Sequence, residues 1–249
     1  VDTHDYDEAA TRDAFIDLLL AEAGWPLDQK RDREYRVSGM PNSSPGGVGF
    51  ADYVLWGADG LPLAVVEAKR TRTDPQAGQQ QAKLYADALE RQFGQRPLMY
   101  YTSGYEHWLW DDTLYPPRAV QGFATRDELA LAVQRRTSRQ PLTSIPINEA
   151  IVERPYQHRA IRRVGDVFEQ QQRRALLVMA TGSGKTRTVI ALTDLLMRAG
   201  WVKRVLFLAD RVALVNQATA AFKAHLPASS PVNLVTEKGV DGRVMVSTY

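Results

Sequence analysis

FADYVLWGADGLPLAVVEAKR, Phe50–Arg70, reads as two strands joined by a tight turn. Ala51–Trp56 is apolar and aromatic, Gly57-Ala58-Asp59-Gly60 is turn chemistry, and Leu63–Lys69 is apolar until its last residues. Strand side chains alternate between faces, so Val65, Glu67 and Lys69 share one face and Ala64, Val66 and Ala68 the other. A turn that closes symmetrically sets Asp52 opposite Val65 and makes Glu67 its diagonal neighbour, about 7–8 Å away between backbones. Two carboxylates and a lysine then converge at one end of a hairpin. Carboxylates this close repel unless a cation lies between them, and hard oxygen ligands suit Mg²⁺. A lysine beside them can orient a water and stabilise charge on a phosphate. In a chain this charged, Glu-x-Lys is also the pattern of a solvated strand edge. The apolar run Leu63-Ala64-Val65-Val66 and the separate strand carrying Asp52 favour the metal site.

Downstream, Asp74-Pro75 is an N-cap and first-turn pair for a helix that runs to about Phe93 and stops at Gly94. Gln81 and Tyr85, four apart, lie on one face of it near Leu84 and Ala88. A core-facing tyrosine with an incidental glutamine is the plainer account of that pair. Pro97–Ser103 and Glu106–Trp110 read as strands joined at Gly104, Asp111-Asp112 as a turn, and Arg126–Arg136 as a short helix.

Upstream, Asp7–Ala23 has apolar residues at helical spacing (Ala10, Ala14, Phe15, Leu18, Leu19) and ends at Gly24. Glu8 in its first turn complements the helix dipole. Glu34–Val37 is a short strand, and Ser38–Gly49, rich in Gly, Pro and Ser, is a loop directly before Asp52.

Beyond a Ser/Thr/Pro tract at Thr137–Pro146, strand-like Ala175–Met179 leads into Ala180–Thr186, ATGSGKT, and a helix, Arg187–Ala199. Strand, glycine loop and helix form a phosphate cradle. Thr181, Gly182, Ser183 and Gly184 supply loop N–H groups at a helix N-terminus. Lys185 would reach the β/γ phosphates and Thr186 would ligate Mg²⁺. Met179 stands where the strict P-loop pattern has its first glycine.

The 249 residues suffice for one large or two modest domains. No apolar run reaches membrane-spanning length, so no membrane role is expected. VDTHDYDEAA at the amino terminus is acidic and lacks the apolar core of a signal peptide. Absence of cysteine excludes disulfides and thiolate metal sites and agrees with a cytoplasmic location. Net charge is +2, but residues 1–136 carry 15 Lys/Arg against 21 Asp/Glu, while residues 137–249 carry 16 against 8. The basic second half suits phosphate-rich partners, whereas the acidic first half, if it binds DNA, must do so through a local patch and metal ions rather than net charge.

Asp52, Glu67-Ala68-Lys69 and Gln81-Ala82-Lys83-Leu84-Tyr85 together resemble the D…E-x-K…Q-x-x-x-Y signature of the PD-(D/E)XK nucleases. TRDAFIDLLLAEAGW at Thr11–Trp25, ADYVLW, AVVEAKR and QAKLYADAL resemble the amino-terminal part of the restriction (R) subunit of type I restriction enzymes. MATGSGKT is similar to motif I of superfamily-two helicases, which relax the first glycine. Tyr156-Gln157 resembles their adenine-reading element, a Gln amide offering one donor and one acceptor to the base edge. ADRVALVNQA at Ala209–Ala218 and VMVSTY at Val244–Tyr249 resemble their DNA-tracking motifs.

The resemblance implies an α/β chain: a PD-(D/E)XK nuclease fold at 1–136 (mixed central sheet flanked by helices), a linker at 137–150, and a partial RecA-like P-loop domain at 151–249. It implies Mg²⁺-dependent hydrolysis of double-stranded DNA, with Asp52 and Glu67 on the metal and the Ala68 carbonyl assisting. Lys69 is then the water-orienting residue, and Gln81 and Tyr85 support the site. The family's first helix can lend the metal an acidic residue, and the resemblance points to Glu8 for it. ATP would bind at Gln157 and Thr181–Thr186 and drive translocation in a complex with modification and specificity subunits. No D-E-x-x box follows Thr186, so ATP turnover is not expected of these residues alone. A stand-alone defence helicase–nuclease and an inactive DNA-binding or assembly fragment are the alternative readings.

Overall fold

Pro62–Ala68 (β3) is buried at every position, which explains the apolar run Pro62–Val66 ahead of the buried Glu67: a strand covered on both faces has no polar side to show. The computed structural model describes residues 6–41 and 45–249, so Val1–Asp5 of the acidic terminus and Asn42–Ser44 of the Gly/Pro/Ser-rich loop lie outside the described residues. The chain divides into two compact units, Val1–Thr137 and Ser138–Tyr249.

In the first unit β3 is an inner strand of a six-stranded sheet. The others are Arg33–Ser38 (β1), Val48–Trp56 (β2), Leu98–Thr102 (β4), His107–Trp110 (β5) and Arg118–Val120 (β6), in spatial order β1-β2-β3-β4-β5-β6. Every neighbouring pair is antiparallel except β3 and β4, which run parallel. The sheet is therefore mixed. Parallel neighbours need a crossover, and the helix Gln79–Phe93 supplies it after a 3-10 turn, Pro75–Gly78. Asp74 caps that turn by accepting from the Gln76 N–H, and Gly94 ends the helix in the left-handed region.

The first helix, α1, has three parts: Glu8–Thr11, a π-helical stretch Arg12–Ile16, and Asp17–Glu22. Its buried residues are Thr11, Ile16 and Leu20, while Leu18 is exposed. This corrects the expected apolar stripe through Leu18 and Leu19. The wider π turn adds a residue between Thr11 and Ile16 and rotates the following side chains, a distortion common at functional sites. Naming Gln79–Phe93 α2 and Arg126–Ser138 α3, the sheet is covered on both faces. Ile16 and Leu20 of α1 and Leu129 of α3 pack on Tyr53, Val66 and Tyr100. Ala82, Ala86 and Leu89 of α2 pack on Val54, Val65 and Met99. Each fully buried Val or Leu contributes about 1.5–3 kcal/mol. A one-residue slip of β3 would exchange its faces and carry Glu67 away from α2, so these side chains fix the register.

The second unit contains Pro155–Glu169 (α4), Lys185–Arg198 (α5), Val212–His225 (α6) and a parallel sheet of Val205–Ala209 (β7), Pro231–Asn233 (β8) and Val244–Thr248 (β9), in order β7-β9-β8. Ile161, Ile190, Leu195, Val215, Phe222 and Val246 form its core. Leu142 and Ile147, inside the stretch read as linker, are buried in the same core. Ala175–Met179 is not a strand, a correction to the expectation. β9 already has β7 and β8 on its two sides, 175–179 pairs with no strand, and Leu176 and Val178 are exposed. Apolar alternation without a hydrogen-bonding neighbour does not make a strand. Among the described residues no helix is long and apolar enough to cross a membrane.

Candidate functional site

The hairpin of β2 and β3 closes differently from a symmetric turn. Val54 stands opposite Val65 and Tyr53 opposite Val66, with a bulge between Leu55 and Trp56. Gly57 donates its N–H to Leu61 O and Gly60 to Gly57 O, a five-residue connection. The pairing is thus two residues away from the expected Asp52–Val65 match, and continuing it sets Asp52 beside Glu67 rather than diagonal to it. The ladder gives way there to a side chain: the Ala68 N–H donates to Asp52 Oδ2 at 2.7 Å.

The other expected residues gather at the same end of β3. Lys69 Nζ donates to Glu67 Oε1 at 2.8 Å and to Gln81 Oε1 at 3.1 Å. Gln81 Nε2 donates to the Tyr85 hydroxyl at 3.1 Å. Gln81 and Tyr85, one turn apart on α2, therefore continue a polar line that starts at Glu67, although the Tyr85 ring is buried in the apolar cluster under α2. Glu8 reaches in from α1, its Oε1 3.6 Å from Lys69 Nζ.

Three contributors had no clear signal in the sequence. Arg12 donates from Nη1 to Asp52 Oδ1 at 2.8 Å and from Nη2 to Glu34 Oε1 at 3.1 Å. It lies four residues after Glu8, so the i, i+4 rule could have placed both on one helix face. Gly78 lies against the site: a Cβ there would come within 3.2 Å of Glu67 Cγ and 3.4 Å of Lys69 Cε. Gly49 makes room for Tyr85, whose Cε1 would be 2.8 Å from an added Cβ.

Burial sets the electrostatics. Glu67 is pushed up to about 8, first by burial and then by the charge of Asp52, against the opposing pull of Lys69. Asp52 is also raised by burial, although the Ala68 N–H and Arg12 work against that. For Lys69 burial favours the neutral amine, but Glu67, Glu8 and Asp52 together raise it. Glu67 Oε2 is buried and has no hydrogen-bond partner among the described residues. An ionised oxygen in that position needs a cation. Among the described residues no three His, Cys, Asp or Glu side chains form a metal-holding group. Two carboxylates are nevertheless a sufficient protein share for Mg²⁺, which keeps waters and takes substrate oxygens. The donor set and the orphaned Glu67 oxygen thus fit such an ion.

In the second unit Gly182 and Gly184 adopt φ of 76° and 83°, backbone that glycine accepts without strain. Lys185 begins α5 and donates to the carbonyls of Met179 and Ala180 at 3.4 and 3.2 Å. Ser183 Oγ donates to Ala180 O at 2.6 Å, while Thr186 follows in the first turn of the helix. Gln157 is buried; its Nε2 donates to Gly184 O and its Oε1 accepts from the Arg154 N–H, both at 3.4 Å. The Tyr156 hydroxyl donates to Ser183 O at 2.8 Å. A Cβ at Gly184 would come within 2.6 Å of Gln157 Nε2, so that glycine serves both the turn and the approach of the glutamine. Thr181, exposed, completes the loop.

Comparison with known proteins adds the following. Residues 150–249 match the family model described as Type III restriction enzyme, res subunit. The chain is 30% identical over 269 aligned positions to the Type I restriction enzyme EcoKI endonuclease subunit of Escherichia coli (strain K12), covering 84% of this chain and 23% of that protein. It is 31% identical over 180 positions to the Type I restriction enzyme EcoAI endonuclease subunit of Escherichia coli, covering 67% of this chain and 22% of that protein. The chain thus spans less than a quarter of the length of either curated relative. A fragment structure described as an HsdR subunit of a type I restriction enzyme from Vibrio vulnificus YJ016 aligns at 27% identity and a TM-score of 0.45, over 99% of this chain and 48% of that one.

Proposed function

We propose that this chain, a relative of the endonuclease subunits of type I restriction enzymes that carries a helicase-like region, hydrolyses DNA phosphodiester bonds at the Asp52–Glu67–Lys69 site. The observation that carries the reading is the buried Glu67 Oε2 next to Asp52, without a hydrogen-bond partner among the described residues, with Lys69 bonded to the other oxygen. On this reading the first unit is a nuclease of the PD-(D/E)XK fold. Asp52 and Glu67 would hold Mg²⁺, which supplies Lewis-acid stabilisation of the phosphate and a more acidic water when bound. Lys69, bridging Glu67 and Gln81, is positioned to orient the attacking water and to stabilise negative charge as it develops. Gln81 fixes the lysine, and Tyr85 fixes Gln81. Glu8 adds negative charge beside Lys69 without a direct role on the metal.

The second unit we read as the opening of a RecA-like translocase domain. Thr181–Thr186 would cradle ATP phosphates, with Lys185 exchanging its loop carbonyls for phosphate oxygens and Thr186 on the nucleotide's Mg²⁺. Gln157 would exchange its two long bonds for the adenine edge. Double-stranded DNA, together with modification and specificity subunits, would be the partners, in the cytoplasm. The test is DNA cleavage by the intact subunit in its complex. Asp52→Ala, Glu67→Ala and Lys69→Ala should each abolish cutting while ATP hydrolysis persists. Wild-type cutting by any of the three removes the assignment.

A further inference from the structure

The two carboxylates of the site are not equivalent. Among the described residues Glu67 keeps one buried oxygen without a hydrogen-bond partner, whereas both oxygens of Asp52 are engaged. Oδ2 is held by the Ala68 N–H, a backbone contact fixed by the hairpin, and Oδ1 by the Arg12 guanidinium. The Arg12 and Asp52 side chains are only 21% and 16% exposed, so water screens their attraction far less than it screens a surface pair. The other arm of Arg12 rests on Glu34, which is 67% exposed and free to let go. The guanidinium also borders a cleft of about 670 Å³ lined by Lys30, Arg33, Glu34 and Tyr53 among others, which gives it somewhere to move. It projects from the first residue of the π-helical stretch of α1, where helix geometry is least regular.

We infer that Arg12 is the resident counter-cation of Asp52 and that a divalent metal must displace it. It neutralises Asp52 while no metal is present, and it opposes metal binding by the strength of the pair it forms. The inference rests on Asp52 being a metal ligand. A residue that only positions Asp52 predicts the opposite sign: its loss would weaken the metal.

The experiment titrates Mn²⁺ into the 249-residue chain and follows the free ion by electron paramagnetic resonance. Arg12→Met retains much of the apolar stem and removes the charge. Mn²⁺ should bind it on the order of tenfold more tightly, the effect expected of one opposite charge at contact distance. Glu34→Gln leaves Arg12 with Asp52 alone and should weaken Mn²⁺ a few fold, by about the worth of a partly shielded ion pair. In the double variant that weakening should vanish, because Glu34 acts through Arg12. Unchanged or weaker binding by Arg12→Met overturns the inference. Should Arg12→Met fail to fold, unchanged or tighter binding by Glu34→Gln overturns it instead. Asp52→Asn separates the two levels. If wild-type affinity survives that change, the metal-site reading itself fails; if it falls while Arg12→Met gains nothing, only the role of Arg12 fails.

Discussion

On the proposed reading Glu67 is the central residue of the site, and its pH behaviour is open to measurement. Burial, and then Asp52, raise its carboxyl from the ordinary 4.5 to about 8. In the folded chain the proton is retained where the unfolded chain has lost it, so the associated stability is fully present below about 4.5 and is lost as pH rises through about 8. The Tm of the metal-free chain should therefore fall across that window, and Glu67→Gln should flatten the slope, as thermal melts in EDTA would record. A metal needs the ionised carboxylate. Mg²⁺ added near neutral pH should then release up to about one proton per chain, detectable with an indicator dye, and its affinity should climb as pH approaches about 8. A pH-independent melting curve would mean that Glu67 is ionised throughout, and that the repulsion described above does not exist.

At the scale of elements, the turn between β3 and α2 carries a steric requirement. Gly78 has an ordinary φ of −82°, so alanine there meets no backbone strain. Its Cβ would instead press on Glu67 Cγ and Lys69 Cε. Gly78→Ala should leave the unfolding free energy within about 1 kcal/mol of wild type, as a helix-compatible exchange does, yet reduce cleavage by an order of magnitude or more, roughly the cost of misplacing a catalytic group. Equal activity would show that the lysine has slack. Tyr85→Phe should weaken cutting less than Glu67→Ala, because Tyr85 acts through Gln81. The gathering of Asp52, Glu67 and Lys69 at one end of the hairpin is legible in the sequence, since Asp52 lies on β2, Glu67 near the end of β3 and Lys69 directly after it. The register came out two residues off because a bulge at Leu55/Trp56 and a five-residue connection leave no mark in an apolar pattern. Arg12 was hidden for another reason: it meets Asp52 from 40 residues away, and nothing local announces the contact. β6 is three residues long, too short for periodicity to register. At Ala175–Met179 the pattern was strand-like, but a strand depends on its neighbour, which composition does not report.

At the scale of the molecule, each unit has its own core: the apolar clusters on the two faces of the mixed sheet in the first, and the Ile161–Ile190–Phe222 cluster in the second. Substitutions in separate cores and sites are expected to add. Lys185→Ala should accordingly remove ATP binding, read by titration of a fluorescent nucleotide, and leave Mn²⁺ affinity at Asp52 and Glu67 unchanged. Loss of both together would tie the sites more closely than two separate cores allow. Whether Asp52 and Glu67 are two halves of one metal site can be read by soaking crystals of the chain in Mn²⁺ and recording an anomalous difference map. A peak bonded to both carboxylates, with Glu67 Oε2 among its ligands, is expected. A map with no peak there, or with Mn²⁺ only at other acids while Arg12 still holds Asp52, would contradict it.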